Sequence, residues 1–186
     1  MKKTILGGVL ALAAGGAMAQ VYVGVGAGLT EFNVDCTGTV SCDNSSSGGK
    51  FYGGFSFNPN VAAEIGYIDF GTAKQSGYIY STLVNLDLEA TAVTAAVALR
   101  GPLAQGLSAV GRVGVAQVKM TGKASSAYVA VPDHSETATK LYVGIGLEHE
   151  FTHKLKGSLT ADFTDGEIYG ESGSLRMLGV GLQYAF

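Results

Sequence analysis

Apolar and polar residues alternate along nearly the whole chain beyond residue 20. Val21, Val23, Val25, Ala27 and Leu29 alternate with Tyr22, Gly24, Gly26 and Gly28. Phe51, Gly53, Phe55 and Phe57 alternate with Tyr52, Gly54 and Ser56, and Ala63, Ile65 and Tyr67 with Ala62, Glu64 and Gly66. The pattern returns around Val93–Leu99, Ala109–Val115, Leu141–Leu147, Leu155–Phe163 and Leu178–Phe186. A period of two belongs to a strand, whose successive side chains point to opposite faces. The chain therefore reads as eight strands with no convincing helix.

The connections carry a second signal. Asn58-Pro59-Asn60, Gly101 to Gly106 and Thr152-His153-Lys154 are short. Thr30 to Gly49, Gly71 to Asn85, Thr121 to Ala138 and Thr164 to Gly173 are long and polar, and the two kinds alternate strictly. Such alternation predicts an all-β fold, an eight-stranded antiparallel up-and-down transmembrane β-barrel with long loops at one end and tight turns at the other. Pro59 and Pro102 fall in short turns and Pro132 in a long loop, so no proline is expected within a strand.

Composition places lipid on the outside. The chain is 47% hydrophobic and 15% charged, against about 25% charged in an average soluble domain. Its longest nearly apolar stretch, Ile5 to Ala19, is shorter than the roughly 20 residues a spanning helix needs. One face of each strand carries Val, Ile, Leu, Phe and Tyr; the other carries Gly, Ala, Ser, Thr and scattered charges. A soluble barrel would hold its apolar face inside. Here the charged face is also the small one, which suits a narrow interior. The phase falters twice. Leu86 and Leu88 share parity with Arg100, and Arg176 shares parity with Leu178. A bulge, or strands that rise above the bilayer into water, would each account for it.

Met1-Lys2-Lys3, the apolar run from Ile5 to Ala14 and Ala17-Met18-Ala19 read as a bacterial secretory signal peptide over residues 1–19, leaving a barrel domain over 20–186. Its removal takes Lys2 and Lys3 and makes a chain of net charge −3 more acidic still, which excludes a nucleic-acid partner. In an oxidising compartment Cys36 and Cys42 are expected to bridge. That would order the tip of the first loop by about 2.4 kcal/mol.

The candidate chemistry is sparse. Glu64, Arg112, Glu148 and Lys156 share the inward face and are expected to form an interior ion network in the turn-side half. Arg112 is expected to pair first with Glu148 and second with Glu64. Asp133-His134-Ser135-Glu136 holds the residue types of a hydrolase triad, but adjacent residues cannot readily arrange nucleophile, base and orienter. His134, His149 and His153 lack metal spacing, and no helix follows Gly24-Val25-Gly26 to make it a phosphate cradle. No catalytic residue, metal or cofactor is expected.

The chain resembles the small outer membrane barrels of the OmpA transmembrane-domain and OmpX/Ail type. The likeness rests on Ala63-Glu64-Ile65-Gly66-Tyr67-Ile68-Asp69-Phe70-Gly71, on Val113-Gly114-Val115-Ala116 and Val143-Gly144-Ile145-Gly146-Leu147-Glu148, and on the ending Leu182-Gln183-Tyr184-Ala185-Phe186. It implies the outer membrane of a Gram-negative bacterium, with outer membrane lipid and lipopolysaccharide as surroundings. Tyr184 and Phe186 would then serve as the signal read by the barrel assembly machinery. It implies a monomeric, non-enzymatic barrel, structural or presenting its loops to a host or environmental surface ligand. No periplasmic peptidoglycan-binding domain is expected. A narrow low-conductance channel is the alternative function, and a lipid-modifying enzyme ranks last.

Overall fold

The computed structural model describes residues 20–33, 41–79, 82–126, 134–168 and 171–186. The expected signal peptide and Cys36 lie outside the described residues, as does the side chain of Cys42, so the expected bridge falls outside them too. The strands are β1 (Gln20–Asn33), β2 (Ser41–Asp43), β3 (Ser45–Asn58), β4 (Val61–Ile79), β5 (Thr82–Ala104), β6 (Leu107–Ser126), β7 (His134–Thr152), β8 (Leu155–Ile168) and β9 (Glu171–Ala185). All pairings are antiparallel. The order β4-β3-β1-β9-β8-β7-β6-β5 closes through a β4–β5 ladder, and β2 adds a short strap on the upper part of β4. Eight strands thus form a closed ring with no free edge along its turn-side half.

Alternation sets inside and outside. Ile65 is 71% exposed while its neighbour Glu64 is 6% exposed. Val25, Leu29, Phe51, Val93, Leu141 and Leu178 likewise stand outward and exposed. An apolar surface of this extent would be a liability in water, whereas acyl chains are its matching solvent.

The loops differ from expectation. β4 runs on to Ile79 and β5 starts at Thr82, so the segment read as a long polar connection is mostly paired strand. β6, β7, β8 and β9 also extend past the apolar belt as hairpins. Backbone pairing needs no apolar face, so these extensions lack the pattern by which the other strands are read. Pro102, expected in a turn, falls in β5 at a register shift between Pro102 and Ala104, where its missing N–H costs the ladder little.

The strands whose phase faltered contain no flip. Leu88 and Arg100 both point inward, and Asp87 and Glu89 stand on the outer face above the belt. Arg176 is outward and exposed above Leu178. The flip occurs in β4 instead. Asp69 pairs with Thr91 and Gly71 with Ala90, leaving Phe70 as the extra residue of a bulge. Ile68 and Phe70 are inward before it and Ala73 after it. Gly71 has φ 77°, which only glycine adopts without strain, and a Cβ there would strike Ser46 and Ser47. The Asp69 carboxylate accepts the Gly71 N–H at 2.8 Å and fixes the turn of the bulge.

Candidate functional site

The lumen is filled in two layers. The layer toward the tight turns is polar. Glu64 on β4, Arg100 on β5, Arg112 on β6 and Glu148 on β7 project inward by strand parity, and all four are buried. Arg112 Nε donates to Glu64 Oε2 at 2.6 Å, and its Nη2 reaches Glu148 Oε1 at 3.4 Å. Arg100 Nε donates to Glu148 Oε2 at 2.9 Å and its Nη2 to Glu64 Oε1 at 3.1 Å. Each guanidinium therefore bridges both carboxylates. Tyr22 adds its hydroxyl, donating to Glu64 Oε1 at 2.7 Å and accepting from Arg100 Nη2 at 3.1 Å. Glu64, with donors from three strands, is the hub.

The structure brings together three of the four residues read as an ion network and leaves out the fourth. Lys156 is half-buried at the turn-side end of β8, level with Gln183, and makes no ion pair among the described residues. Its place is taken by Arg100, which shares inward parity with Ala98 but sits so near the turn that the apolar pattern ends beside it. The pairing order is also corrected. Glu148 lies opposite Ser108, and Arg112 lies opposite Gly144, so the two are staggered along the strands. Arg112 pairs more closely with Glu64, reaching past β5 to β4 at 2.6 Å, and keeps Glu148 at 3.4 Å.

A second polar group stands beside the first. Lys50 Nζ on β3 donates to Asp162 Oδ1 on β8 at 2.7 Å and to the Tyr142 hydroxyl at 3.0 Å, and Tyr142 donates in turn to Asp162. Lys50 continues the inward parity of Tyr52 and Gly54, and Asp162 that of Thr160 and Ser158. Both were visible as parity and were missed as partners because they meet across the lumen. The three buried cations Lys50, Arg100 and Arg112 face the three buried anions Glu64, Glu148 and Asp162, so the layer is balanced. Tyr22 and Tyr52 lie flat across glycines of the neighbouring strand. A Cβ on Gly54 would enter the Tyr22 ring, and one on Gly24 the Tyr52 ring.

The layer toward the loops is apolar. Phe32, Ile68, Phe70, Leu88, Val118, Met120, Leu175 and Met177 form one buried cluster, each at most 5% exposed. The Met120 thioether lies where a side chain on Gly166 of β8 would go, so it crosses the lumen behind β7. Between the layers is a cavity of about 10 Å³ bordered by Lys50, Tyr52 and Met177, room for about one water.

The other candidates are not assembled into sites. Asp133 lies outside the described residues. His134 Nε2 is 3.3 Å from Glu136 Oε1, while Ser135 points to the opposite face. His149 stands outward with its ring edge-on to Phe151 at 5.3 Å, and His153 occupies the turn near Glu150. Among the described residues no cluster of metal-binding side chains occurs. Tyr184 and Phe186 are outward and exposed at the turn side, their rings edge-on at 5.3 Å.

This architecture can be compared with known proteins. Residues 16–185 match the family described as the OmpA-like transmembrane domain. The chain belongs to that family. Solved structures agree on the fold. Ail, the attachment invasion locus protein of Yersinia pestis, is 17% identical, with 90% of this chain and 99% of that chain covered and a TM-score of 0.57. Neisserial surface protein A is 12% identical over the same shares, with a TM-score of 0.65. The N-terminal barrel domain of Pseudomonas aeruginosa OprF is 16% identical, again over 90% and 99%, with a TM-score of 0.54. No curated protein matches the chain by sequence. The chain is thus an outer membrane β-barrel of the OmpA-like type.

Proposed function

We propose that this barrel is a closed, non-enzymatic scaffold that presents its loop-side hairpins to a partner outside the cell. The observation that carries the reading is the double closure of the lumen, by paired charges at the turn side and by apolar side chains at the loop side. A lumen filled by these two layers leaves the outer surface and the hairpins as the parts able to meet a partner. The structural neighbour Ail was solved in complex with a heparin analogue, and a polyanionic surface sugar is one class to try. Pull-down with folded barrel, against a barrel with its hairpins shortened, tests the reading. Retention of the same surface component by both versions would sink it.

The charged turn-side layer is the one feature that favours a narrow channel as a second reading. Under the scaffold reading, planar bilayers containing the folded protein show no unitary conductance. They also show none for Glu64→Gln, because the apolar layer still blocks the path and offers an ion no polar partner. Steady conductance by the unaltered protein would favour the channel. We further assign Tyr184 and Phe186 to recognition by the assembly machinery. Deleting Phe186 should then impair assembly in cells more than refolding in detergent, and equal loss in both would count against that role.

A further inference from the structure

The outer wall is charged differently in its two halves. In the loop-side half Glu31, Lys119, Asp165 and Arg176 stand outward and exposed. In the turn-side half the outward positions of the described strands are apolar or small and include no carboxylate. Glu150 lies on the lumen side of β7, opposite Lys156. The basic groups of this half of the wall are His149 on β7 and Lys154 in the β7–β8 turn, both exposed. Tight turns of an outer membrane barrel face the periplasm, so the turn-side half lies in the phospholipid leaflet and the loop-side half in lipopolysaccharide.

Beside these two basic groups the wall is hollowed. A groove of about 690 Å³ is lined by Leu147, His149, Phe151, Gly157, Leu159 and Leu182, within the roughly 300–1,000 Å³ of sites that hold a small ligand. Gly157 is what leaves the room. The Phe151 ring leans over it, 2.7 Å from where a Cβ would stand. His149 is level with Gly157, has its ring edge-on to Phe151, and makes no hydrogen bond among the described residues. Lys154 Nζ lies 6.0 Å from the centre of the Tyr184 ring, and Tyr184 is the next outward residue below Leu182 on β9. The ammonium thus stands at the turn-side end of the groove, without an ion pair among the described residues. An apolar hollow that ends on two nitrogen donors, with no carboxylate beside them, complements an acyl chain joined to an anion. A head-group ammonium would meet Lys154 and find no countercharge on this face.

We propose that this groove holds one anionic phospholipid of the periplasmic leaflet, with an acyl chain along Leu147, Leu159 and Leu182 and its phosphate on Lys154. The His149 imidazole N–H, which sits deeper than Lys154, donates to an ester oxygen of the same lipid. Phe151 holds the imidazole at the groove, and the Tyr184 ring holds the ammonium over the wall. The assignment rests on the periplasmic placing of the turns and is independent of any hairpin partner.

Native mass spectrometry of the folded barrel in neutral detergent, titrated with short-chain phosphatidylglycerol, tests it. One lipid should be retained saturably per barrel, and more tightly than phosphatidylethanolamine. Lys154→Gln should weaken retention about tenfold, the scale of one charge-assisted contact, and erase the preference between the two lipids. Gly157→Leu, which drives the Phe151 ring into the groove and leaves both nitrogen donors, should abolish retention. Arg176→Gln, on the loop-side wall, should leave it unchanged. Heat-modifiable migration reports the folding of each variant, and the two groove variants act by different means, so either one alone decides. Unsaturable uptake, full retention by Lys154→Gln or Gly157→Leu, equal or tighter retention of phosphatidylethanolamine, loss of retention in Arg176→Gln, or barrel dimers that exclude the lipid would overturn the proposal.

Discussion

Glu64 and Met120 both reach into the same lumen, but different physics holds each in place. Glu64 is held by named partners: Arg112 at 2.6 Å, Tyr22 at 2.7 Å and Arg100 at 3.1 Å. Met120 is held by shape, against Gly166 and Leu175. On the turn side, taking away one group leaves another charge bare in a dry interior. On the loop side, it leaves a void. The first layer is specified by pairs and the second by volume. The two should answer differently to substitutions of equal size.

The largest effect is expected at the hub. Glu64→Ala should cost about 3–5 kcal/mol, the usual loss when one partner of a buried pair is removed, read by denaturant unfolding with gel-shift detection. A double-mutant cycle sharpens this. Arg112 with Glu64 should show a coupling toward the upper end of about 0.5–3 kcal/mol, and Arg112 with Glu148 a smaller one. Equal couplings would contradict the closer pairing of Arg112 with Glu64 than with Glu148.

Met120 probes the other layer. Met120→Ala should cost about 2–5 kcal/mol, but Met120→Leu less than about 1.5 kcal/mol, because volume is nearly kept. No such shape-conserving escape exists at Glu64, where Glu64→Gln keeps the volume and still takes the countercharge from both arginines. If Glu64→Gln proved as mild as Met120→Leu, the distinction between the layers would fail. Gly71→Ala should cost about 1–3 kcal/mol through backbone strain at the bulge. Lys156→Ala should change stability by no more than about 0.5 kcal/mol, since Lys156 lies outside both layers.

The eight strands and the sense of inside and outside were legible because both rest on local alternation. Leu159 and Ser158 declare their faces to anyone reading adjacent residues. Lys50 and Asp162 do not declare each other, because their contact depends on how the ring curves. The same holds for Arg112 and Glu64. Arg100 was hidden by its place next to a turn, where the apolar pattern gives out. The bulge at Phe70 and Gly71 was hidden because an aromatic residue followed by glycine also reads as the end of a strand. The hairpin extensions were hidden because polar residues on both faces carry no period.

One pairing in the ring has a kinetic consequence. β1 pairs with β9, with Tyr22 opposite Ala185 and the Phe186 N–H donating to the Val21 carbonyl at 3.1 Å. Every other barrel seam joins strands that follow one another along the chain, with only β2 intervening once. This seam joins the two ends of the barrel domain. Its loop-closure entropy is the largest in the molecule, so the ring shuts only after the last strand exists and the first has waited for it. In that interval the edges of β1 and β9 are bare and able to pair with any strand they meet. Whatever guides this chain to its membrane must shield those two edges.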